Sequence, residues 1–325
     1  MFNALVIEQK DDNQVVSIQE LDESNLPAED VVVNVGYSSL NYKDGLAITG
    51  AGRIVRQFPM IPGIDLCGEV SESKDSRYQV GDNVILTGWG VGEGHWGGMA
   101  QKASLKADWL VPLPATLSPE KAMTIGTAGL TAMLCVQALE NYGITPDNGE
   151  ILVTGASGGV GSTAIVLLAA LGYEVAAVTG RPSNEDYLKS LGAKRIVLRS
   201  EFEDKAKPLE KQFWAGAVDT VGSNLLAKVI AQTHYNGAVA ACGLAGGFDL
   251  PSTVMPFILR NVALLGVDSV MCPYEKRVQA WQRLSELLPG SYFEQASTTV
   301  GLKDVPELAD AIIKGKVTGR TLIKL

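Results

Sequence analysis

The stretch from Gly155 to Gly161 has the residue types and spacing that nucleotide chemistry requires. It reads Gly-Ala-Ser-Gly-Gly-Val-Gly, follows the apolar run 151–153 and precedes an apolar helical pattern. Glycines let backbone amides approach a pyrophosphate, and a helix N-terminus offers unpaired N–H groups and a positive dipole end. We therefore predict a dinucleotide-binding βαβ unit over residues 151–181. Its phosphate contacts are predicted to be Ser157, Gly158, Gly159 and Val160.

The spacing is Gly-x-x-Gly-x-x-Gly, because Ser157 stands where the commoner Gly-x-Gly-x-x-Gly motif has its second glycine. A tight turn between strand and helix, with no ligand, is the alternative interpretation of this motif. The residues that follow the next predicted strand favour the nucleotide site.

That strand, Glu174 to Thr179, ends about twenty residues beyond the glycines, where an NAD site places an Asp or Glu on the ribose 2′-hydroxyl. This chain has Thr179, Gly180 and Arg181 there. A carboxylate repels a 2′-phosphate, whereas a guanidinium binds it by charge-assisted hydrogen bonds of about 1.5–3 kcal/mol each. These three residues predict NADPH as the cofactor. The alternative is that Arg181 is a solvated surface charge.

Length and composition limit the class of protein. The 325 residues suffice for two domains, and 46% hydrophobic with 19% charged residues is typical of globular proteins. A net charge of −9 argues against nucleic-acid and anionic-membrane partners, so we expect small-molecule partners. The first residues, MFNALVIEQKDD, lack the pattern of a signal peptide, and we expect a cytoplasmic protein with no membrane partner.

Histidine and cysteine usage predicts that the site contains no metal. There are two histidines, His95 and His234, and four dispersed cysteines without Cys-x-x-Cys spacing. The cysteines are expected to be reduced core thiols. His95, in Gly-His-Trp-Gly, is interpreted as an exposed loop histidine, with a place at the substrate entrance as the alternative; His234 is expected to be structural.

The elements that position these residues form two patterns. Residues 4–113 are short strand-like runs separated by turns, whereas helical and strand patterns alternate after Pro114. Six strands in that alternation predict an α/β fold with a doubly wound parallel sheet. Their predicted bounds are 151–153, 174–179, 195–198, 217–221, 238–242 and 263–267. We predict a catalytic domain of residues 1–121 and 270–325 and a nucleotide-binding domain of residues 122–269. The final strand, Arg320 to Leu325, is expected to return to the first sheet, with the active site in the crevice between the domains.

Several long segments resemble one known family. They are SSLNYKD (38–44), FPMIPGIDLCGEV (58–70), LTGWGVGEGHWGGMAQ (86–101), IGTAGLTAMLC (125–135), CGLAGGFDLPSTVMPFILRNVALLGVDSV (242–270) and GRTLIKL (319–325). Together they resemble the zinc-independent, quinone oxidoreductase-like branch of the medium-chain dehydrogenases/reductases. Within that branch, the NADPH-dependent acryloyl-CoA reductases are the most similar.

The resemblance implies a GroES-like β-rich catalytic domain, a Rossmann domain and reduction of acryloyl-CoA, a short enoyl-CoA, to propanoyl-CoA without zinc. It adds Leu244, Ile258, Ser269 and Arg320 as cofactor contacts; Leu244 and Ile258 could equally be core residues. It also implies a homodimer, for which the open edge of the predicted strand near 261–269 is a candidate.

Reduction of an acryloyl thioester needs hydride at the β-carbon and a proton at the α-carbon, while negative charge develops on the thioester oxygen. Tyr42 is the first candidate, as proton donor or as a cofactor-positioning hydroxyl, with a buried core aromatic as the alternative. Asn41 could bond the nicotinamide ribose or the substrate carbonyl, or act as a local backbone cap. Asp65 is interpreted as a supporting acid.

Arg53 and Arg56 are candidates for binding a coenzyme A phosphate, although two loop charges are often simply solvated. Two other classes of function remain open: an NADPH:quinone reductase, and a non-catalytic nucleotide-binding protein. The intact glycine turn and Arg181 make the latter the weakest of the three.

Overall fold

The structure is a computed structural model that describes residues 1–11 and 13–325. Its described strands form three sheets, of two, six and seven strands. The described strands, β1 to β15 in chain order, are Phe2–Lys10, Asn13–Leu21, Val31–Leu40, Asp65–Ser73, Asn83–Thr87, Lys102–Leu105, Leu110–Pro112, Ile151–Val153, Val175–Thr179, Arg195–Leu198, Trp214–Asp219, Thr233–Ala241, Ala263–Gly266, Ser297–Gly301 and Arg320–Lys324.

The helices range from one and a half turns to a long, interrupted helix. The described α-helices, α1 to α9, are Tyr42–Thr49, Pro119–Tyr142, Gly159–Ala170, Glu185–Ser190, Ser223–Gln232, Met255–Arg260, Tyr274–Leu287, Gly290–Gln295 and Val305–Ile313.

The chain divides into two compact units. Unit 1 comprises Met1–Thr127, Ser269–Ser285 and Phe293–Leu325, and unit 2 comprises Ala128–Asp268 and Glu286–Tyr292. The boundaries between the catalytic and nucleotide-binding domains, at residues 121/122 and 269/270, stay a prediction.

Unit 1 contains a seven-stranded sheet in the order β14-β15-β3-β4-β5-β7, with β6 also paired to β3, and a separate β1-β2 ribbon. Strand β3 shows why the sheet forms, because Val31, Val33 and Val35 alternate onto the buried face while Asn34 is exposed. Strand β15 pairs antiparallel with β3, placing Thr321 opposite Leu40. The final strand therefore returns to the first sheet, as the sequence predicts.

Unit 2 contains a six-stranded parallel sheet in the order β10-β9-β8-β11-β12-β13. Every residue of β9 and β11 is buried, which is typical of parallel strands covered on both faces. The prediction of a doubly wound α/β fold is confirmed.

Strand β12 begins at Thr233, five residues before the predicted start at Ala238. The residues between them include His234, Asn236 and Gly237, a composition that favours a turn. They join the strand through a register shift against β11, and Asn236 takes a left-handed φ of 61°.

Helix α2 is interrupted at Gly126, whose φ of 51° and ψ of −159° are not helical. By length and composition α2 is the one described helix that could span a membrane, but 78% of its most apolar window is buried. Burial of that extent is typical of a core helix.

Candidate functional site

Tyr42 is the first residue of α1, which follows β3 after the single residue Asn41. Asn41 has an extended backbone, and its N–H donates to Asp44 Oδ2 at 2.9 Å, which fixes the start of the helix. The Tyr42 side chain is 40% exposed, and its hydroxyl bonds no other described residue. The alternative that Tyr42 is a buried core aromatic is therefore wrong.

The Asn41 side chain is 8% exposed, and both ends of its amide are bonded. Its Nδ2 donates to Asp65 Oδ2 at 2.9 Å, and its Oδ1 accepts from Arg320 at 3.0 Å. A role that needs the amide to bond substrate or cofactor directly would have to displace one of these bonds. The geometry supports a positioning role for Asn41 beside Tyr42.

Asp65 begins β4 and is fully buried. Its Oδ2 accepts from the Ser39 hydroxyl at 2.6 Å and the Thr127 N–H at 2.9 Å, and its Oδ1 accepts from the Thr127 hydroxyl. Arg320 Nη2 lies 3.7 Å from Oδ2. A buried charge is tolerated when it is paired and hydrogen-bonded, and Asp65 meets both conditions.

Arg320, carried by β15, is 4% exposed. Its Nε donates to the Thr124 carbonyl at 3.1 Å and its Nη2 to the Ser39 hydroxyl at 2.8 Å, in addition to Asn41. These partners all belong to unit 1. Contact between Arg320 and cofactor stays a prediction, and its bonds support a role in holding Asn41 and Asp65.

The interruption of α2 at Gly126 leaves room for this network. A Cβ at Gly126 would lie 2.5 Å from Asp65 Oδ2 and 2.6 Å from Arg320 Nη2, which are impossible separations. The positive φ also disfavours any side chain there.

Asp44 is buried one turn into α1. Its Oδ1 accepts from the backbone N–H groups of Gly63 at 3.2 Å and Ile64 at 3.0 Å. Burial, and secondly the charge of Asp65, raise the pKa of Asp44 to about 7. This carboxyl therefore links α1 to the segment that leads into β4.

In unit 2 the glycine turn has the geometry of a phosphate cradle. Gly155 has a φ of 57°, and a Cβ on Gly161 would lie 2.4 Å from the Gly155 carbonyl oxygen. Helix α3 starts at Gly159, and no described backbone group accepts from the amides of Gly159, Val160 or Gly161. These donors fit the phosphates of a dinucleotide.

Arg181 lies beside this turn, because its Nη2 donates to the Ser157 hydroxyl at 3.1 Å. Thr179 ends β9, and its hydroxyl accepts from the Arg181 N–H at 3.1 Å. The four phosphate-turn residues and Thr179, Gly180 and Arg181 are therefore assembled in unit 2, which fits the predicted NADP-binding role.

The sequence prediction missed Arg199. A Cβ on Gly180 would lie 2.9 Å from Arg199 Cζ, so this guanidinium lies against the Gly180 backbone. Leu198 of β10 pairs with Thr179 of β9, so the residues that follow the two strands meet at one edge of the sheet. Adjacent parallel strands, each followed within two residues by an arginine, are the signal that could have identified it.

The remaining predicted cofactor contacts lie in three different environments. Leu244 and Ile258, both in unit 2, are 61% and 72% exposed, so the alternative that they are core residues is wrong. Ser269, in unit 1, is 8% exposed, and its carbonyl accepts from Arg277 at 3.0 Å. Contact of these residues with a cofactor stays a prediction.

His95 is not an exposed loop residue, so that interpretation is wrong. Its side chain is 14% exposed, its ring lies edge-on to Trp109, and its Nδ1 lies 2.9 Å from the Trp96 carbonyl oxygen. The described residues contain no group of three or more His, Cys, Asp or Glu side chains placed to hold a metal ion. The four cysteines are free thiols, and burial raises the pKa of Cys67 to about 12.

Two family models match the chain. Residues 27–115 match the alcohol dehydrogenase GroES-like domain, and residues 159–288 match the zinc-binding dehydrogenase domain. The first match lies in the β-rich unit 1, and the second covers most of the parallel sheet of unit 2. The prediction of a GroES-like domain plus a Rossmann sheet is confirmed.

Two relatives are similar over their whole length. The probable acrylyl-CoA reductase AcuI of Escherichia coli is 62% identical, with 100% of each chain covered. The acrylyl-CoA reductase AcuI of Ruegeria pomeroyi is 53% identical, with 99% of each covered.

Two solved structures have the same fold. The yhdH oxidoreductase of Salmonella enterica, solved in complex with NADP, has a TM-score of 0.98 at 63% identity, covering 99% of both chains. The yhfP protein of Bacillus subtilis, solved with NAD bound, has a TM-score of 0.97 at 44% identity, covering 100% of this chain and 99% of that one.

Proposed function

Because the chain belongs to the medium-chain dehydrogenase/reductase family, we propose that it reduces the double bond of acryloyl-CoA to propanoyl-CoA with NADPH. The observation that carries this proposal is the full-length similarity to two acrylyl-CoA reductases, at 62% and 53% identity. The NADPH:quinone reductase that the sequence left open is the competing function.

The residues of unit 2 fit NADPH. The cofactor, when bound, supplies the hydride that reduces the β-carbon. Ser157, Gly158, Gly159 and Val160 would bind the pyrophosphate through the open amides of α3. Arg181 and Arg199 would bind the 2′-phosphate, because two guanidinium groups at one sheet edge suit a dianion. Thr179 and Gly180 shape the strand end between them.

Tyr42 is proposed as the hydroxyl that acts on the substrate. Its side chain is partly exposed and its hydroxyl bonds no other described residue, so it can donate to the thioester oxygen as charge develops there. The N-terminal end of α1 adds a positive partial charge at the same position. The proton that reaches the α-carbon comes from this hydroxyl or, with Tyr42 positioning the reactants, from water.

Asn41, Asp65 and Arg320 are proposed to hold Tyr42 in place. The bonds of Asn41 to Asp65 and Arg320 fix the residue directly before Tyr42, and Asp44 fixes the next turn of α1. Preorganised donors are effective because they need no reorganisation when the charge develops. Loss of one member is therefore expected to lower the rate without removing a reacting group.

We further propose a cytoplasmic homodimer. Strand β13 is an edge of the parallel sheet, and the adjacent segment exposes apolar side chains that would be covered by a partner: Phe248, Leu250, Val254 and Leu259, each at least 41% exposed. Pairing of two β13 edges would join two sheets across a two-fold axis. A monomer in sedimentation velocity at micromolar concentration would contradict this proposal.

The test of function is a comparison of acceptors. NADPH oxidation is measured with acryloyl-CoA and with simple quinones under one set of conditions. We expect a higher kcat/KM for acryloyl-CoA, with propanoyl-CoA as product by mass spectrometry. Faster turnover of quinones, with no propanoyl-CoA formed, would instead establish the quinone reductase function.

A further inference from the structure

A second group of charged residues lies in unit 1, outside the network around Asp65. It consists of Lys43, Arg56 and Glu93, together with the exposed Arg53 three residues before Arg56 in the same loop, and we call it the basic cluster. Lys43 is the second residue of α1, and both arginines lie in the loop that follows α1.

Glu93 brings two of the cations together. Its side chain is 12% exposed; Oε1 lies 2.9 Å from Lys43 Nζ, and Oε2 lies 3.8 Å from Arg56 Nη2. Arg53 has no ion pair with any described residue. These three cations and one anion carry a formal charge of +2, in a chain whose net charge is −9.

The loop that carries the arginines is fixed to its surroundings. Gly50 ends α1 with a φ of 70°, and the loop then returns toward the start of the helix, where the Arg56 N–H donates to the Glu93 carbonyl at 2.8 Å. The Gln57 side chain donates to the Gly94 carbonyl at 3.0 Å. The Arg56 side chain is nevertheless 75% exposed, so its guanidinium stays accessible to a ligand.

We propose that Lys43, Arg53 and Arg56 bind the phosphate groups of the coenzyme A moiety, an inference that rests on the proposed reduction of acryloyl-CoA. Guanidinium groups bind phosphate oxygens in pairs, and an ammonium adds a point charge. Lys43 follows Tyr42 directly, but successive side chains leave a helix about 100° apart. Lys43 and Tyr42 thus direct the phosphates and the reacting thioester to different sides of α1. A long pantetheine arm joins these two parts of the substrate.

This arrangement gives the anionic end of the substrate a function in catalysis. Binding energy from a remote part of the substrate can hold the thioester beside Tyr42. Glu93 keeps Lys43 and Arg56 in place before substrate arrives, which lowers the cost of ordering long side chains.

The experiment compares two thioesters that share the reacting group. Acryloyl-CoA carries the phosphates, whereas the acryloyl thioester of N-acetylcysteamine does not. For Arg53→Ala and Arg56→Ala we expect KM for acryloyl-CoA to rise about 3- to 10-fold each, as for exposed charged contacts. The ratio of the two KM values should rise by the same factor. Arg77→Ala is the matched control, because Arg77 is an exposed arginine of unit 1 that pairs with Asp75 and Asp108.

Equal changes in KM for both thioesters, or no change for acryloyl-CoA, would overturn the inference. If the wild-type protein reduces neither thioester, the proposed function fails. Calorimetric titration with coenzyme A then tests whether the basic cluster binds coenzyme A. Weaker coenzyme A binding by the Arg53→Ala/Arg56→Ala double variant than by Arg77→Ala would still support it. Equal binding, or none by the wild type, would overturn it.

Discussion

Replacement of Arg181 by Ala should convert an NADPH-selective protein into one that distinguishes NADPH from NADH poorly. Arg181 is half-buried and bonded to Ser157, so its contact with a 2′-phosphate should contribute about 1.5–3 kcal/mol, or about 10- to 100-fold in Kd. Arg199 is exposed, so Arg199→Ala should weaken NADPH binding only about 2- to 5-fold. Binding of NADH should change little in either variant, because it lacks the phosphate.

The assay is fluorescence titration of each variant with both cofactors. Arg195→Ala is the matched control, because Arg195 lies in β10, four residues before Arg199, and pairs with Glu150. Equal losses for NADPH and NADH in Arg181→Ala would show that Arg181 supports the turn rather than the phosphate. A larger loss in Arg199→Ala than in Arg181→Ala would refute the ranking by burial.

Four further outcomes are expected. Tyr42→Phe should lower kcat for acryloyl-CoA by about 100-fold or more if the hydroxyl donates in the transition state; a loss of only a few-fold with weaker NADPH binding would make it a positioning residue. Exhaustive chelation should leave the rate unchanged, whereas stoichiometric zinc whose removal stops turnover would contradict the prediction of a site without metal. Gly126→Ala should lower the free energy of unfolding by about 2 kcal/mol or more and lower kcat as well, because its Cβ would collide with Asp65; urea unfolding that matches the wild type would disprove this. The pKa of Asp44 is about 7 when folded and near 3.8 when unfolded, so the stability that this carboxyl contributes is full below about pH 4 and declines as pH rises through 7. Asp44→Asn should remove this decline, which is on the order of 4 kcal/mol. Free energies of unfolding of the variant and the wild type that run parallel from pH 4 to 8 would contradict this expectation.

The parts of the site that depend on neighbouring residues could be predicted from the sequence. The glycine turn and Arg181 belong to one βαβ unit, in which the order strand, turn, helix and strand dictates their proximity. Strand β10 also has the predicted bounds, because a short apolar run between polar residues leaves little choice of register.

The parts that depend on distant residues could not be predicted. Asp65, Gly126 and Arg320 meet only because β4, α2 and β15 fold together, and no local pattern records that. The exposure of Leu244 and Ile258 is of the same kind, because apolar type alone does not distinguish a core residue from one that awaits a ligand or a partner.

The return of β15 to β3 also determines when unit 1 can become complete during synthesis. Arg320 bonds Asn41 across 279 positions of sequence and Ser39 across 281. A ribosome must therefore translate the chain as far as Arg320 before the Asp65 carboxylate meets its cation. Until then β3 has an open edge and a buried acid without its partner, so the nascent amino-terminal half is exposed to aggregation while unit 2 can already fold. Long-range closure of this kind makes folding slow, and the strand that completes this sheet, β15, is translated after every strand of unit 2.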